Sequence, residues 1–171
     1  MATQVKRYEQ YPLWIVLLSN LNSIAMYMVG GYILYQLGSI WLATYLLYVL
    51  LLEVRLMRRS CTNCYYYGKV CAFGKGKLSA IFFKKGNGRK FAKDQITWKD
   101  ILPDFLVSII PLLVGIALLI MNFNFFILSL LILLVILTSV GNGFIRGSLA
   151  CKYCKQREIG CPAQKLFNKS K

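Results

Sequence analysis

The chain has 171 residues, of which 57% are apolar and 16% charged, where an average soluble domain carries about 25% charged residues. It holds 21 Lys and Arg against 6 Asp and Glu and has no histidine. The length suits one compact unit, and the missing imidazole excludes histidine-ligated haem or zinc, a Ser-His-Asp triad and a histidine pH switch.

Residues 1–11 are a polar start with Lys6 and Arg7. Pro12 opens an apolar run to Tyr35; Gln36, Leu37, Gly38 and Ser39 form a turn; a second run goes from Ile40 to Val54. These runs predict a first transmembrane hairpin over 12–54, the second run being a little short of the ~20 residues that cross a bilayer. No small-residue cleavage site follows the first run, so it reads as mature protein rather than a signal peptide. Residues 55–100 are a basic, glycine-rich, aromatic loop with Cys61, Cys64 and Cys71. A second hairpin follows over 101–145, with Pro103 near its start, Pro111 inside the third span and a turn at Asn122 and Asn124. The fourth span runs from Phe125 to about Val140, and a basic tail over 146–171 holds Cys151, Cys154 and Cys161. The expected fold is all-α, with four transmembrane helices as two tandem hairpins, each followed by a cysteine cluster.

Charge sets the expected orientation. The turns at 36–39 and 121–124 contain no Lys or Arg, and all 21 basic residues lie before the first span, between the second and third, or after the fourth. Short loops rich in Lys and Arg stay in the cytosol. Both termini and the central loop are therefore expected on the cytosolic side of the cell (plasma) membrane. The net charge of +15 then reflects this bias and anionic lipid headgroups, and nucleic acid is not an expected partner.

The clusters read CTNCYYYGKVC and CKYCKQREIGC, both C-x2-C-x6-C, and together they hold every cysteine in the chain. Cys61, Cys64 and Cys71 map onto Cys151, Cys154 and Cys161 with a constant offset of 90 residues, and Pro12 and Pro103 are 91 apart. This layout points to an internal duplication with parallel repeats about an axis along the membrane normal. Two residues between thiolates let a tight turn aim both sulfurs at one ion, and zinc takes four ligands. Each cluster is one short of four, so the clusters are expected to meet. Six thiolates satisfy two zinc ions if two sulfurs bridge. A mononuclear site of Cys61, Cys64, Cys151 and Cys154 is the alternative, and an iron–sulfur cluster is a third possibility. Simple disulfide staples do not suit the reducing cytosol.

The six-cysteine spacing resembles the binuclear zinc cluster of fungal transcription factors. The resemblance is confined to the cysteines and implies a cluster geometry, not DNA binding. Four spans with paired cysteines also resemble, in architecture alone, the membrane disulfide-forming oxidoreductases and the vitamin K epoxide reductase family. That likeness implies thiol–disulfide exchange linked to a quinone. Lys152 and Lys155 beside the second cluster would lower thiol pKa or stabilise metal thiolates equally well.

Residues 73–90 carry no Walker pattern. Leu78, Ile81, Phe82 and Phe83 stand among Lys75, Lys77, Lys84, Lys85, Arg89 and Lys90, an apolar patch with a basic rim suited to lipid headgroups. Ser19, Asn20, Asn22 and Ser23 place polar groups at membrane depth, where they glue helices together or line a path. Glu53 near Arg55, and Asp104, read as interfacial ion pairs; facing one another across the bundle, they would be the one acid pair with a catalytic alternative. The function expected from these features is a membrane scaffold or regulatory subunit, without catalysis of its own, with a zinc site of one or two ions. It would meet lipid and a protein partner at the cytosolic face. The alternatives are the quinone-linked oxidoreductase and iron–sulfur electron transfer.

Overall fold

The computed structural model describes residues 7–88, 91 and 97–162, with the side chain of Trp98 excepted. The described residues are helical, and an isolated parallel bridge pairs Tyr8 with Cys154. We number the helices α1 (Leu13–Tyr35), α2 (Ser39–Arg59), α3 (Lys75–Phe82), α4 (Trp98–Met121), α5 (Phe125–Cys151) and α6 (Gln156–Ile159). Four of them, α1, α2, α4 and α5, are long and apolar enough to cross a membrane.

Local chemistry sets the helix ends. α4 opens on a capping box in which Asp100 accepts from the Thr97 backbone N–H at 3.2 Å. The Asn124 side chain accepts from Phe126 N–H at 2.8 Å and caps α5. α2 does not stop with its apolar run at Val54 but continues to Arg59. Arginine is a good helix former, and Arg58 and Arg59 face the negative end of the helix dipole. α5 likewise continues past Val140, winding as π-helix over Leu137–Gly141 and Ile145–Cys151. The apolar runs therefore mark where lipid can cover the helices rather than where the helices end.

α1 packs against α2, α4 and α5. One core unites Val29 and Ile33 of α1 with Ile127, Leu131 and Leu134 of α5, and a second unites Leu34, Tyr45, Val49 and Val107. Pro111 has no N–H, so the carbonyl of Val107 one turn back loses its helical donor. The Tyr45 hydroxyl donates to that carbonyl at 3.1 Å, which satisfies it without water. Gly30 makes room for this arrangement, since a Cβ there would stand 2.6 Å from Tyr45 Oη and 3.0 Å from Pro111 Cγ. Leu13, Leu17, Leu21, Ile24 and Met28 form an exposed apolar stripe down α1. Such a stripe suits lipid and would be an aggregation liability in water.

Candidate cysteine site

The site lies where α1 and α4 begin and α2 and α5 end. After α2, Cys61 opens a short 3-10 turn over Cys61–Asn63. Cys151 is the last residue of the π-helical winding that closes α5. Both turns close in the same way. Cys64 N–H donates to Cys61 O at 3.3 Å and Tyr67 N–H to Cys64 O at 3.1 Å. At the positions 90 residues on, Cys154 N–H donates to Cys151 O at 3.3 Å and Arg157 N–H to Cys154 O at 3.3 Å.

The two turns meet through a reciprocal pair of hydrogen bonds. Tyr65 N–H donates to Gln156 Oε1 at 2.6 Å, and Lys155 N–H donates to Tyr66 Oη at 3.0 Å. Each bond joins the backbone of one turn to a buried side chain of the other, since Tyr66 is 2% exposed and Gln156 3%. Residues 65 and 155, like 66 and 156, are one 90-residue offset apart, so the second bond is the counterpart of the first.

The segment before α1 ties the turns together. Tyr8 N–H donates to Tyr153 O at 3.1 Å, Tyr11 N–H to Val70 O at 3.0 Å, and the Tyr66 hydroxyl to Tyr8 O at 2.7 Å. Tyr11 also donates through its hydroxyl to Ala150 O. Glu9 pairs with Lys69 from the first segment and Lys155 from the second, and accepts from the Tyr65 hydroxyl at 2.6 Å. Arg7 pairs with Glu158 at 2.9 Å. Tyr11, Ile15, Tyr66, Ala72 and Ala150 form the buried core of this end, with Cys64, Cys71 and Cys154 packed on it. Sequence reasoning missed the strap formed by Arg7–Tyr11, because a short polar stretch with one Glu and two Tyr carries no periodic signal.

Burial dominates the electrostatics of the thiols. It raises Cys64 above the ordinary thiol value, with Cys71 and Cys161 adding to the effect and the Tyr66 N–H opposing it. Burial likewise pushes Cys154 up to about 12, opposed by the Gln156 N–H and reinforced by Cys64, Cys161 and Cys151. Lys155 is drawn to Glu9 and the Tyr65 ring, and Lys152 lies over the Tyr153 ring. Reactive cysteines require the opposite environment, one that lowers the thiol pKa. Buried thiols crowded by thiols stay protonated until a cation compensates them.

All six cysteines are free thiols, and Cys64, Cys71 and Cys154 pack on the same buried core. Among the described residues no three Cys, Asp or Glu side chains stand close enough together to hold a metal ion as arranged. Thiol donors suit a thiophilic ion in kind, but these are not gathered into one ligand set.

The other sequence-selected residues divide. Lys75, grouped with the headgroup lysines, turns inward and pairs with Glu53 at 2.5 Å, while Tyr27 donates to Glu53 at 2.8 Å. Glu53 thus meets Lys75 rather than Arg55, which lies 3.6 Å from Asp100. Asp104 is exposed, whereas Glu53 is half-buried. Lys77, Lys84 and Lys85 surround the exposed Leu78, Ile81 and Phe82, whereas Arg89 and Lys90 lie outside the described residues. Asn20 donates to Phe73 O at 3.4 Å and Asn22 to Leu137 O at 3.5 Å, so both act between segments. Gly76 is required at the site, because a Cβ there would stand 2.2 Å from Tyr66 O. No family model, curated protein or solved structure matches the chain.

Proposed function

We propose that this chain is a multi-pass membrane scaffold or regulatory subunit built as two hairpin repeats, whose six cysteines hold zinc, one or two ions. The observation that carries the reading is the reciprocal pair of bonds between Tyr65 and Gln156 and between Lys155 and Tyr66, which join the two cysteine turns. Burial holds Cys64 and Cys154 as thiols, which weighs against ready thiol exchange. Bound zinc would keep the thiols as thiolates and supply folding energy to this end of the bundle. Cys61, Cys64, Cys71, Cys151, Cys154 and Cys161 would hold it. The site would tie the central loop to the C-terminal segment beneath the bundle.

The basic end would face the cytosol at the plasma membrane. Lys77, Lys84 and Lys85 would meet anionic headgroups, with Leu78, Ile81 and Phe82 dipping into the interface. A protein partner would dock on the same face.

Elemental analysis of protein purified anaerobically without chelator, read beside its visible spectrum, tests the metal. Zinc with no colour is expected. Iron with sulfide and brown colour would move the protein to electron transfer. No metal, with thiols that oxidise reversibly against a quinone, would replace the scaffold with the oxidoreductase.

A further inference from the structure

We infer that the groove between α4 and α5 binds one glycerophospholipid with a phosphoethanolamine headgroup, from the leaflet at the basic end. An acyl chain lies in the groove, with the phosphate on Arg146 and the ammonium on Asp104. None of the cysteines takes part.

α4 and α5 touch at Gly115, where a Cβ would stand 2.5 Å from Leu131 Cδ2. One turn nearer the basic end they have parted. Ser108, Ile109 and Leu112 of α4 and Leu134, Val135 and Thr138 of α5 line a cavity of about 190 Å³. Sites for drug-sized ligands hold roughly 300–1,000 Å³, so this one matches a stretch of a single aliphatic chain. Leu134 is its buried floor, whereas Ile109 and Val135 are 37% and 45% exposed, so it opens sideways toward lipid. Both hydroxyls are turned into their own helices: Ser108 donates to Phe105 O at 3.1 Å and Thr138 to Leu134 O at 2.8 Å. With no free O–H donor, the groove selects hydrocarbon. Its α5 wall winds as π-helix over Leu137–Gly141, and such windings are frequent at functional sites.

The charges stand at the mouth. Residues four apart share a helix face, so Asp104 continues the face of Ser108 and Asn142 that of Thr138. Antiparallel packing from the Gly115–Leu131 contact sets Ser108 level with Thr138, and Asp104 level with Asn142. Arg146 turns back to that level, donating from Nε to Asn142 Oδ1 at 2.8 Å. Its guanidinium lies 5.3 Å from the Phe73 ring, and Phe73 is tethered through its carbonyl, which accepts from Asn20 at 3.4 Å. The guanidinium is thus held through Nε and one face, which leaves its Nη edge for bidentate bonding to a phosphate.

Other cations of this end are already matched, Lys75 by Glu53 and Arg55 and Arg59 by Asp100. Arg146 and Asp104 are both exposed, and neither has an ion-pair partner among the described residues. A lone cation level with a lone carboxylate complements a zwitterion better than an anion. A primary ammonium can donate to that carboxylate, and a quaternary one cannot. Depth agrees. About 30 Å of helix separates Phe125 from Arg146, the thickness of the hydrocarbon core, about 30 Å. Thr138 lies about 12 Å further in, within the ~15 Å that the chains of one leaflet cover.

The test reconstitutes the full chain in phosphatidylcholine vesicles that carry a trace of phospholipid with a photoactivatable diazirine in its acyl chain. Ethanolamine, glycerol and choline headgroups are compared on that probe. The ethanolamine probe should label the peptides containing Ser108–Leu112 and Leu134–Thr138 about tenfold more than the choline probe, the scale of one hydrogen bond to a charged group. Asp104→Asn should erase its advantage over the glycerol probe, and Arg146→Gln should weaken labelling by all three. Leu112→Trp, which fills the groove and keeps both charges, should abolish the labelling. The comparison of headgroups on the unaltered chain stands whatever the variants do to folding. Equal labelling of the groove and of the exposed α1 stripe, without headgroup preference, would mean annular lipid alone and overturn the site. Preference for the glycerol probe would overturn the pairing of Asp104 with an ammonium.

Discussion

The two cysteine segments share a spacing but not a means of support. The first is latched into the bundle. Asn20 holds Phe73 O, Lys75 reaches Glu53, and the Phe73 ring lies 5.3 Å from the Arg146 guanidinium. The second hangs from a π-helical winding of α5 and is held from outside by the strap, through Tyr8, Glu9 and Arg7. A repeated motif thus fixes the local turn, while the elements around it decide how the turn is anchored. The difference also gives each segment its own weak point.

The largest effect is expected where both supports converge. Tyr66 is buried and bonded to Tyr8 O and to Lys155 N–H, so Tyr66→Ala should cost about 3–5 kcal/mol and free both segments together. Limited proteolysis should then cut at both cysteine loops at once. Cleavage of one loop alone would mean that the segments are held independently.

Lys75→Met should loosen the first segment only. It leaves Glu53 without its cation in a setting where the two side chains are 22% and 18% exposed, at a cost of about 1–3 kcal/mol. Adding Glu53→Gln should recover most of that loss in thermal unfolding. Additive losses would show that the pair does not act as a latch.

Alkali should act on the strap. Burial pushes the Tyr66 phenol up to about 12 from its ordinary 10, and raises that of Tyr11 further. The fold therefore favours the neutral phenols. Their contribution is full below the unfolded value of about 10 and is lost as pH rises toward 12 and beyond. Tyrosinate absorbance should rise in step with loss of structure at this end, and phenols ionising at their ordinary value would contradict their burial. The smallest effect is expected at Glu9, which is 60% exposed. Glu9→Gln should cost under about 1 kcal/mol, shrink further in high salt, and slightly increase proteolysis of the second segment.

The four helices of membrane-spanning length were legible because long apolar runs have few other uses, and the two lysine-free turns marked where the chain reverses. The helix ends were less legible, since Arg55, Arg58 and Arg59 continue α2 by propensity after its apolar signal stops. The cysteine positions could be read from spacing alone. What holds them could not: Tyr66 and Gln156 share no chemistry as residue types, yet they occupy equivalent places and accept equivalent bonds. Lys75 was misleading for a related reason, because its sequence neighbours are surface lysines while its partner, Glu53, lies a helix away.

The most direct test of the account is a photo-cross-linking side chain, such as a benzophenone, in place of Tyr8, activated in intact membranes. Tyr8 bonds to Tyr153 through its backbone, and the two rings lie 5.2 Å apart. The account predicts an intramolecular link from the strap to the peptide that contains Tyr153 and Cys154. Links that avoid the 151–161 segment would contradict the meeting of the two cysteine turns.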